Sequence, residues 1–327
     1  MLFLCLFRYN KDMTELHVHL DGSLRKETAI ALAKEKGTKI TSLTVDEDCD
    51  SLETYLECFR LPLSLLQEAP VIERAVRELA EDLLADGVNR AEIRFAPYSF
   101  CAKDLSPKEA VDAARRGARA AMAAHKGLKI ALILCCMRGQ EEAPFVGRVR
   151  EELTGEKANF RLIDLIEEEM DDVVKAADLA GAEALFPTGR YIELFRYAKR
   201  KGVPFTIHAG EGAGAKSVWA ALETGTGRIG HGVRAIEEAL LVDELVRKKI
   251  TLECCVISNF HTRCFANPID HPIKRLFDAG VRVTLNTDNR TISDTTMHRE
   301  IETVQRLFHF TDEEIRRMQA YAEEACF

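Results

Sequence analysis

Residues 203–233 read VPFTIHAGEGAGAKSVWAALETGTGRIGHGV, and this stretch decides the predicted fold because it contains one complete strand–helix–strand unit. The short apolar runs at 203–209 and 228–233 are typical of buried strands. Between them, a glycine-rich turn opens a helix. Two strands that are joined by a helix pair in parallel, so the stretch predicts part of a parallel sheet.

The same alternation continues along most of the chain. The apolar runs that resemble strands are 15–20, 90–97, 128–137, 173–181, 203–209, 228–233, 251–257 and 281–288. Segments with helical periodicity lie between many of them, at 107–125, 190–201 and 235–249. Capping signals agree with these helices: Ser106-Pro107 opens one, Lys201-Gly202 closes another, and His271-Pro272 opens a third.

Eight strands alternating with helices predict an α/β chain of one particular kind, the (β/α)8 TIM barrel. In that fold the catalytic groups lie at the carboxyl ends of the strands. The alternative is a doubly wound open sheet. Residues 21–87 are too many for one strand–helix unit, so we expect extra helices over the C-terminal mouth of the barrel.

Composition excludes several classes of protein. The 327 residues carry a net charge of −8 with both signs interspersed, which argues against a nucleic-acid surface. No apolar run approaches the roughly 20 residues that span a bilayer, and the apolar residues 1–7 lack the flanks of a signal peptide. Ten cysteines without a CxxC pair predict reduced, buried thiols. These features favour a cytoplasmic protein that binds neither membranes nor nucleic acids.

Histidines at strand positions point to a metal site. His17 and His19 are two residues apart on one predicted strand, so both side chains face the barrel interior. Two buried imidazoles need a partner that offsets their desolvation, and a metal ion supplies one. His208 and Asp288, at the ends of two other strands, complete a ligand set that suits zinc, with Fe(II) as the alternative.

Glu211 follows His208 by three residues, in the glycine-rich turn. Such a carboxylate can simply stabilise a helix N-terminus. It can also act as a general acid or base beside a metal-bound water. Its position directly after a candidate ligand, at the open end of the strand, favours the catalytic interpretation.

Residues 210–217, GEGAGAKS, nearly match a phosphate-binding P-loop. That motif requires glycine immediately before its lysine, and Ala215 stands there instead. We therefore reject a nucleotide triphosphatase. The zinc deaminases with a P-C-x-x-C motif are excluded as well, because the chain lacks that motif.

Short motifs at matching order and spacing give the chain a specific resemblance. They are HVHLDGS at 17–23, DLAG at 178–181, HAGE at 208–211, GHG at 230–232, SN at 258–259 and NTDN at 286–289. With them the chain resembles the adenosine deaminases of the amidohydrolase superfamily, from about Met13 onwards. The fold of that family is the same (β/α)8 barrel.

The resemblance implies a role for each matching position at the metal. His17, His19, His208 and Asp288 would bind one zinc ion per chain. Glu211 would protonate purine N1, and His231 with Asp288 would orient and deprotonate the zinc-bound water that attacks C6.

The resemblance also implies substrate contacts, by His19, Asp21, Gly181 and Asn289. Asp21 would reach the ribose 5′-hydroxyl, and the backbone N–H of Gly181 would reach purine N3. Asn289 departs from the family, whose best-known members have a second aspartate there, in contact with purine N7. An asparagine amide can donate to N7 without being protonated. Followed by Arg290, it is similar to a bacterial branch of the family.

The chain departs from the family at two further places. The family's Cys-Pro-x-Ser-Asn is Cys255-Val256-Ile257-Ser258-Asn259 here, and its Gly-Asp-Glu is Gly181-Ala182-Glu183. Both changes are expected to tune rate or substrate preference. The family begins near Met13, so residues 1–12 are predicted to be an extension. Either Met13 is the natural start or the extension is a disordered tail. Residues 13–327 are predicted to form a single metal-dependent deaminase domain.

The activity implied by the resemblance is conversion of adenosine and 2′-deoxyadenosine to inosine and ammonia, in purine salvage. One alternative is a deaminase of adenine, a modified adenosine or a methylated AMP. A phosphate would then need a cation such as Arg60 or Arg138 near the ribose. The sequence also leaves open a nucleoside-binding protein without catalysis and a binuclear hydrolase of cyclic amides. Nothing in the sequence indicates the oligomeric state.

Overall fold

The computed structural model describes residues 12–45, 49, 55, 57–140, 150, 153–155 and 157–327. The predicted extension, apart from Asp12, lies outside these residues. Within them, strands and helices alternate from Met13 to Ala325.

Eight strands form the centre of the molecule. They are β1 (Met13–His19), β2 (Val88–Phe95), β3 (Lys129–Met137), β4 (Val174–Ala180), β5 (His208–Ala209), β6 (Arg228–His231), β7 (Thr251–Cys254) and β8 (Arg282–Leu285). Each strand pairs in parallel with the next, from β1 to β4 and again from β5 to β8. This order is that of consecutive strand–helix units.

Backbone hydrogen bonds join the two groups of four strands into a ring. Between β4 and β5, the Ala177 N–H donates to the Pro204 carbonyl at 2.9 Å, and Thr206 N–H donates to the Ala177 carbonyl at 3.0 Å. Between the end of β8 and β1, His19 N–H donates to the Asp288 carbonyl at 2.7 Å, and Asp288 N–H donates to the His17 carbonyl at 2.8 Å. The predicted barrel is confirmed, and the open sheet is wrong.

Helices surround the strands. Their bounds are α1 (Lys26–Glu35), α2 (Arg60–Leu65), α3 (Ala69–Ala85), α4 (Pro107–Ala124), α5 (Ala158–Glu169), α6 (Ile192–Arg200), α7 (Ala215–Thr224), α8 (Ala239–Lys248), α9 (Val256–His261), α10 (Ile273–Asp278), α11 (Met297–Phe308) and α12 (Asp312–Ala325). The start of α4 follows the predicted signal: Ser106 and Glu109 form a capping box, with Pro107 at the first helical position. Helix α10 begins just after His271-Pro272, as expected.

Several predicted strands are longer than the observed ones: 203–209 is a strand only at His208–Ala209, 228–233 ends at His231, and 281–288 ends at Leu285. The apolar run 251–257 is a strand only as far as Cys254, and α9 begins at Val256. A continuous apolar run does not distinguish a buried strand from a buried helical turn. The turn matters for the site, because it directs Ser258 and Asn259 towards the barrel mouth.

One of the expected extra helices, α2, lies over the C-terminal mouth. A cavity at this end of the barrel is lined by Phe59, which directly precedes α2, by Leu63 within α2, and by Tyr55. The segment 97–105 also contributes, since its short 3-10 turn (Pro97–Phe100) places Ser99 in the cavity wall. The cavity floor is formed by residues at the strand ends.

Two predictions from composition concern the described residues. The nine described cysteines are all free thiols, and eight of them are buried. Of the helices that the structure describes, none combines the length and the apolar character needed to cross a bilayer.

Gly117 lies where α4 packs closely against α3, and this packing predicts the effect of adding a side chain there. Alanine normally stabilises a helix interior by about 1 kcal/mol relative to glycine. At Gly117, however, a Cβ would lie 2.4 Å from the carbonyl oxygen of Glu73 on α3. We expect Gly117→Ala to lower the free energy of unfolding by about 1–3 kcal/mol, because the helices must move apart. Urea denaturation measures this, with Ala120→Gly on the exposed side of α4 giving the ordinary propensity effect. A Gly117→Ala protein as stable as the wild type would contradict the packing described here.

Candidate active site

Four side chains converge at the centre of the barrel mouth. His17 and His19 come from β1, His208 from β5, and Asp288 from the turn after β8. The Nε2 atoms of His19 and His208 are 3.2 Å apart. Oδ1 of Asp288 lies 3.5 Å from Nε2 of His17 and 3.4 Å from Nε2 of His19. The sequence grouped these four residues, and the structure brings them together.

The two most buried imidazoles are held from behind by carboxylates. Nδ1 of His17 lies 2.9 Å from Oε2 of Glu253 on β7. Nδ1 of His208 lies 2.9 and 3.2 Å from the two oxygens of Asp178 on β4. Each carboxylate accepts a hydrogen bond from the Nδ1–H group of its histidine, which leaves the Nε2 lone pair free and aimed into the cluster.

A buried arginine fixes both of these carboxylates. Nη1 of Arg94 donates to Asp178 at 2.9 Å, and Nη2 donates to Glu253 at 2.8 Å. Burial alone would raise the pKa of Glu253, but the charges of Arg228 and Arg94 hold that pKa well below its usual range. Burial opposes ionisation of Asp178 in the same way, and His208 with Arg94 keep its pKa low. Both carboxylates are therefore ionised beneath the cluster.

The protonation of two of the three imidazoles, those of His17 and His19, suits metal binding. Burial lowers the pKa of His17 to about 4 and brings that of His19 well below its usual value. Neutral imidazoles are the form that binds a metal.

The spacing of the candidate ligand atoms fits a single zinc ion. With metal–ligand bonds of about 2.0 Å, the ligand atoms of a tetrahedral zinc site lie about 3.3 Å apart. The separations quoted above are 3.2 to 3.5 Å. Nε2 of His17 is also buried without a hydrogen-bond partner, as expected of an atom whose partner is an ion. Three imidazoles and one carboxylate can therefore hold a single divalent cation here.

Glu211 and His231 lie beside the cluster. Oε2 of Glu211 is 3.4 Å from Nε2 of His231, and both residues have oxygen or nitrogen atoms within 4.8 Å of Asp288. The other Glu211 oxygen accepts hydrogen bonds from Asn259 at 3.2 Å and from Thr262 at 3.0 Å. The carboxylate therefore has a fixed orientation.

The backbone is strained where two of these side chains are presented. His231 has φ 61° and Asp288 has φ 57°, a left-handed conformation that is uncommon for residues other than glycine. Such positions persist only where surrounding structure enforces them. The hydrogen bonds between Asp288 and β1 provide that enforcement at one of them.

The remaining predicted site residues lie in the cavity wall. Asp21, Gly181 and Asn289 all line it. Oδ1 of Asp21 is buried without a partner, and burial raises the pKa of this residue to about 6. Nδ2 of Asn289 donates to the hydroxyl of Tyr55 at 2.8 Å, which leaves one amide hydrogen for another acceptor.

Several residues of the site could not be found from the motifs. The motifs do not include Glu253, which lies in the apolar run 251–257. A charged residue inside such a run is nevertheless a signal of a buried ion pair. Thr262 and Tyr55 lie outside the recognised motifs, and only the fold brings them to the cavity. Arg94 gave a similar signal to Glu253, since it lies within the apolar strand run 90–97.

Comparison with known proteins identifies the family. A family model described as adenosine deaminase matches residues 13–327. An adenosine deaminase of Haemophilus ducreyi is 39% identical over 325 residues, covering 96% of this chain and 91% of that protein. The chain belongs to the adenosine deaminase family. The resemblance drawn from the motifs is thereby confirmed, and with it the class of hydrolytic deaminases.

Solved structures show the same fold. An adenine deaminase from Arthrobacter aurescens superposes with a TM-score of 0.84 at 22% identity, covering 96% of this chain and 93% of its own. A zinc-bound amidohydrolase from Burkholderia ambifaria superposes with a TM-score of 0.85 at 21% identity, covering 96% of this chain and 85% of its own. Both superpositions span the whole barrel.

The ligand geometry predicts the effect of removing one imidazole. We expect His17→Ala to purify without bound metal, because the substitution removes one of the four ligands, the imidazole that Glu253 orients. His125→Ala, a change outside the cavity, should keep the wild-type metal content. Elemental analysis of dialysed protein makes the comparison. Equal metal content in the His17→Ala protein would show that the ion binds elsewhere.

Proposed function

We propose that residues 13–327 act as one catalytic domain that converts adenosine, and 2′-deoxyadenosine, to inosine and ammonia with one zinc ion per chain, in purine salvage. The observation that carries the proposal is the position of Glu211, held beside His231 and Asp288 at the edge of the four-ligand cluster. The reaction consumes one water molecule, forms the C6–O bond and breaks the bond from C6 to the amino nitrogen. Family membership supports the same reaction.

His17, His19, His208 and Asp288 would hold the zinc. A zinc ion in such a site lowers the pKa of water to about 7 and so supplies a nucleophile at neutral pH. The side chains around it then have to orient the purine, accept a proton from the water and deliver a proton to the ring.

Glu211 is placed to protonate the purine ring. Asn259 and Thr262 both donate to Oε1, so Oε2 is the oxygen left to exchange a proton with the substrate. A proton on purine N1 makes C6 electrophilic and prepares it for attack. Glu211 therefore acts as the general acid of the proposed reaction.

A chain of hydrogen bonds sets the tautomer of His231. Ile273 N–H donates to Nδ1 of His271, so Nε2 of that neutral ring carries the proton and donates to Oδ1 of Asn259. The Asn259 amide consequently donates to Nδ1 of His231 at 3.2 Å. The proton of His231 must then be on Nε2, facing Glu211 and the cluster. In this tautomer His231 orients the attacking water by donating to it, and the Asp288 carboxylate takes the water's proton.

The cavity wall supports the assignments for the substrate. Asp21 offers an unpaired carboxylate oxygen for the ribose 5′-hydroxyl. The left-handed turn at Gly181, with φ 104°, brings the backbone into the wall, where its N–H would meet purine N3. The free amide hydrogen of Asn289 would meet N7. His19 borders the cavity and would lie beside the reacting carbon.

The cavity favours a nucleoside over a nucleotide. Among the described residues that line it, there is no lysine or arginine, while Asp21 adds a carboxylate where a 5′-phosphate would lie. The two candidate cations are engaged elsewhere. Arg138 is buried and donates to the carbonyls of Phe186 and His208, and the exposed Arg60 pairs with Glu57 at 2.7 Å. A methylated AMP is therefore the weaker candidate.

The direct test is the ultraviolet change when zinc-loaded protein is mixed with adenosine, with adenine and AMP in parallel. We expect turnover of adenosine and 2′-deoxyadenosine and little turnover of the other two. Adenine as the preferred substrate would contradict the role of Asp21, since a free base carries no ribose. Turnover of AMP in preference to adenosine would contradict the account of the cavity wall.

The role of Glu211 gives a sharper expectation. We expect Glu211→Gln to keep its zinc and to lose kcat by about 10²–10⁴-fold, the usual contribution of general acid catalysis. The amide oxygen can still accept from Asn259 and Thr262, but the amide is far too weak an acid to transfer a proton to N1. Steady-state kinetics and elemental analysis on the same preparation test both parts. Full turnover by this variant would contradict the assignment.

The contact with N7 can be isolated by substrate analogues. In Asn289→Ala, we expect kcat/KM for adenosine to fall about tenfold, the value of one neutral hydrogen bond. 7-Deazaadenosine has a carbon in place of N7, so its kcat/KM should be the same in the wild type and the variant. Parallel losses for both substrates would show that Asn289 acts by packing rather than by reading N7.

A further inference from the structure

The stretch that resembles a P-loop does form a cradle of N–H groups. The backbone N–H groups of four consecutive residues converge on one point at the start of α7: Gly210, Glu211, Gly212 and Ala213. The hydroxyl of Ser217 points to the same place. A P-loop uses such an arrangement to bind phosphate.

The cradle is filled by a carboxylate of the chain itself. Oε1 of Glu183 accepts from Gly210 N–H at 2.7 Å and from the Ser217 hydroxyl. Oε2 accepts from Glu211, Gly212 and Ala213 N–H at 3.0, 2.7 and 3.1 Å. Every one of these neighbours donates, so the site matches an anion and would repel a donor group.

The glycine at the start of the turn is required by the same geometry. Gly210 has φ 77°, and a Cβ there would lie 2.5 Å from Cγ2 of Val218. The turn therefore folds tightly back over α7, which is what allows successive N–H groups to face one point. The side chain of Glu211 points out of this turn towards His231.

The donors also continue beyond the cradle. Nη2 of Arg138 donates to the Thr188 hydroxyl at 2.9 Å, and the hydroxyls of Thr188 and Ser217 are 2.6 Å apart. Because the Ser217 hydroxyl donates its hydrogen bond to Glu183, the Thr188 hydroxyl must donate to Ser217. The same Arg138 nitrogen donates to the carbonyl of His208. Glu183 thus ends a chain of donors that begins beside a metal ligand.

We propose that Glu183 is a positioning residue whose carboxylate acts as a permanently bound anion and holds the 210–213 turn in the shape that presents Glu211. The inference rests on the proposed role of Glu211. It gives the P-loop-like sequence a function that needs no nucleotide. It also explains why the turn tolerates four N–H groups facing inwards, since unsatisfied buried donors are costly.

The test uses an anion added from solution. In Glu183→Ala the cradle loses its carboxylate, the turn is no longer held, and we expect kcat for adenosine to fall about 10²-fold, as for a small misplacement of a catalytic group. Sodium formate should restore part of the lost activity, compared with sodium chloride at equal ionic strength. Formate carries the two oxygens that the cradle needs, and Glu183 borders the open cavity.

Two further variants separate an anion cradle from simple packing. Glu183→Gln fills the same volume but brings an N–H2 group against the donors, so it should be impaired and should not respond to formate. Asp171→Ala removes a carboxylate that also holds two backbone N–H groups, those of Val173 and Val174, at the opposite end of β4. It should keep kcat and show no formate response.

A second readout does not depend on turnover. Formate should raise the Tm of Glu183→Ala more than that of the wild type or of Asp171→Ala. A wild-type protein that fails to deaminate adenosine would overturn the proposed function and leave this thermal test intact. The proposal itself is overturned by a fully active Glu183→Gln or Glu183→Ala protein, or by a Glu183→Ala protein whose activity and Tm both ignore formate.

Discussion

The site depends on one buried cation, the guanidinium of Arg94, which donates to Asp178 and to Glu253 beneath the barrel mouth. Each of those carboxylates holds Nδ1 of a histidine, so a single side chain fixes the directions of His17 and His208. A charge in a barrel interior is costly unless it is paired and hydrogen-bonded. Here the pairing has a second consequence, because it leaves Nε2 atoms aimed at a common point.

The same principle of fixed donors and acceptors extends around the mouth. Glu211 is held at its backbone by the Glu183 cradle and at its side chain by Asn259 and Thr262. Asn259 in turn connects Glu211 to His231, so the residue proposed as proton donor and the residue proposed to orient water share one amide. Positions fixed before the substrate arrives cost no reorganisation during the reaction, which is how such sites lower a barrier.

The barrel fold and the ligand residues of the site could be predicted from the sequence. The strand–helix alternation gave the barrel, and the two-residue spacing of His17 and His19 placed both on one face. The structure brings them to His208 and Asp288, as the motifs implied. Periodicity could not reveal that the 251–257 run turns into a helix at Val256. Nor could it pair Glu183 with the 210–213 turn, because that contact depends on how two loops at neighbouring strand ends meet. Periodicity also could not predict the left-handed backbone at His231 and Asp288, which at Asp288 is held by hydrogen bonds to β1.

We propose that the carboxylate-held imidazoles, together with His19 and Asp288, hold a single zinc ion. Zinc X-ray absorption spectroscopy on protein loaded with one equivalent tests it most directly. We expect a first shell of nitrogen and oxygen only, at about 2.0–2.2 Å, with the outer-shell scattering typical of imidazole. Sulfur at about 2.3 Å would place the ion at one of the buried cysteines instead and would contradict the ligand set.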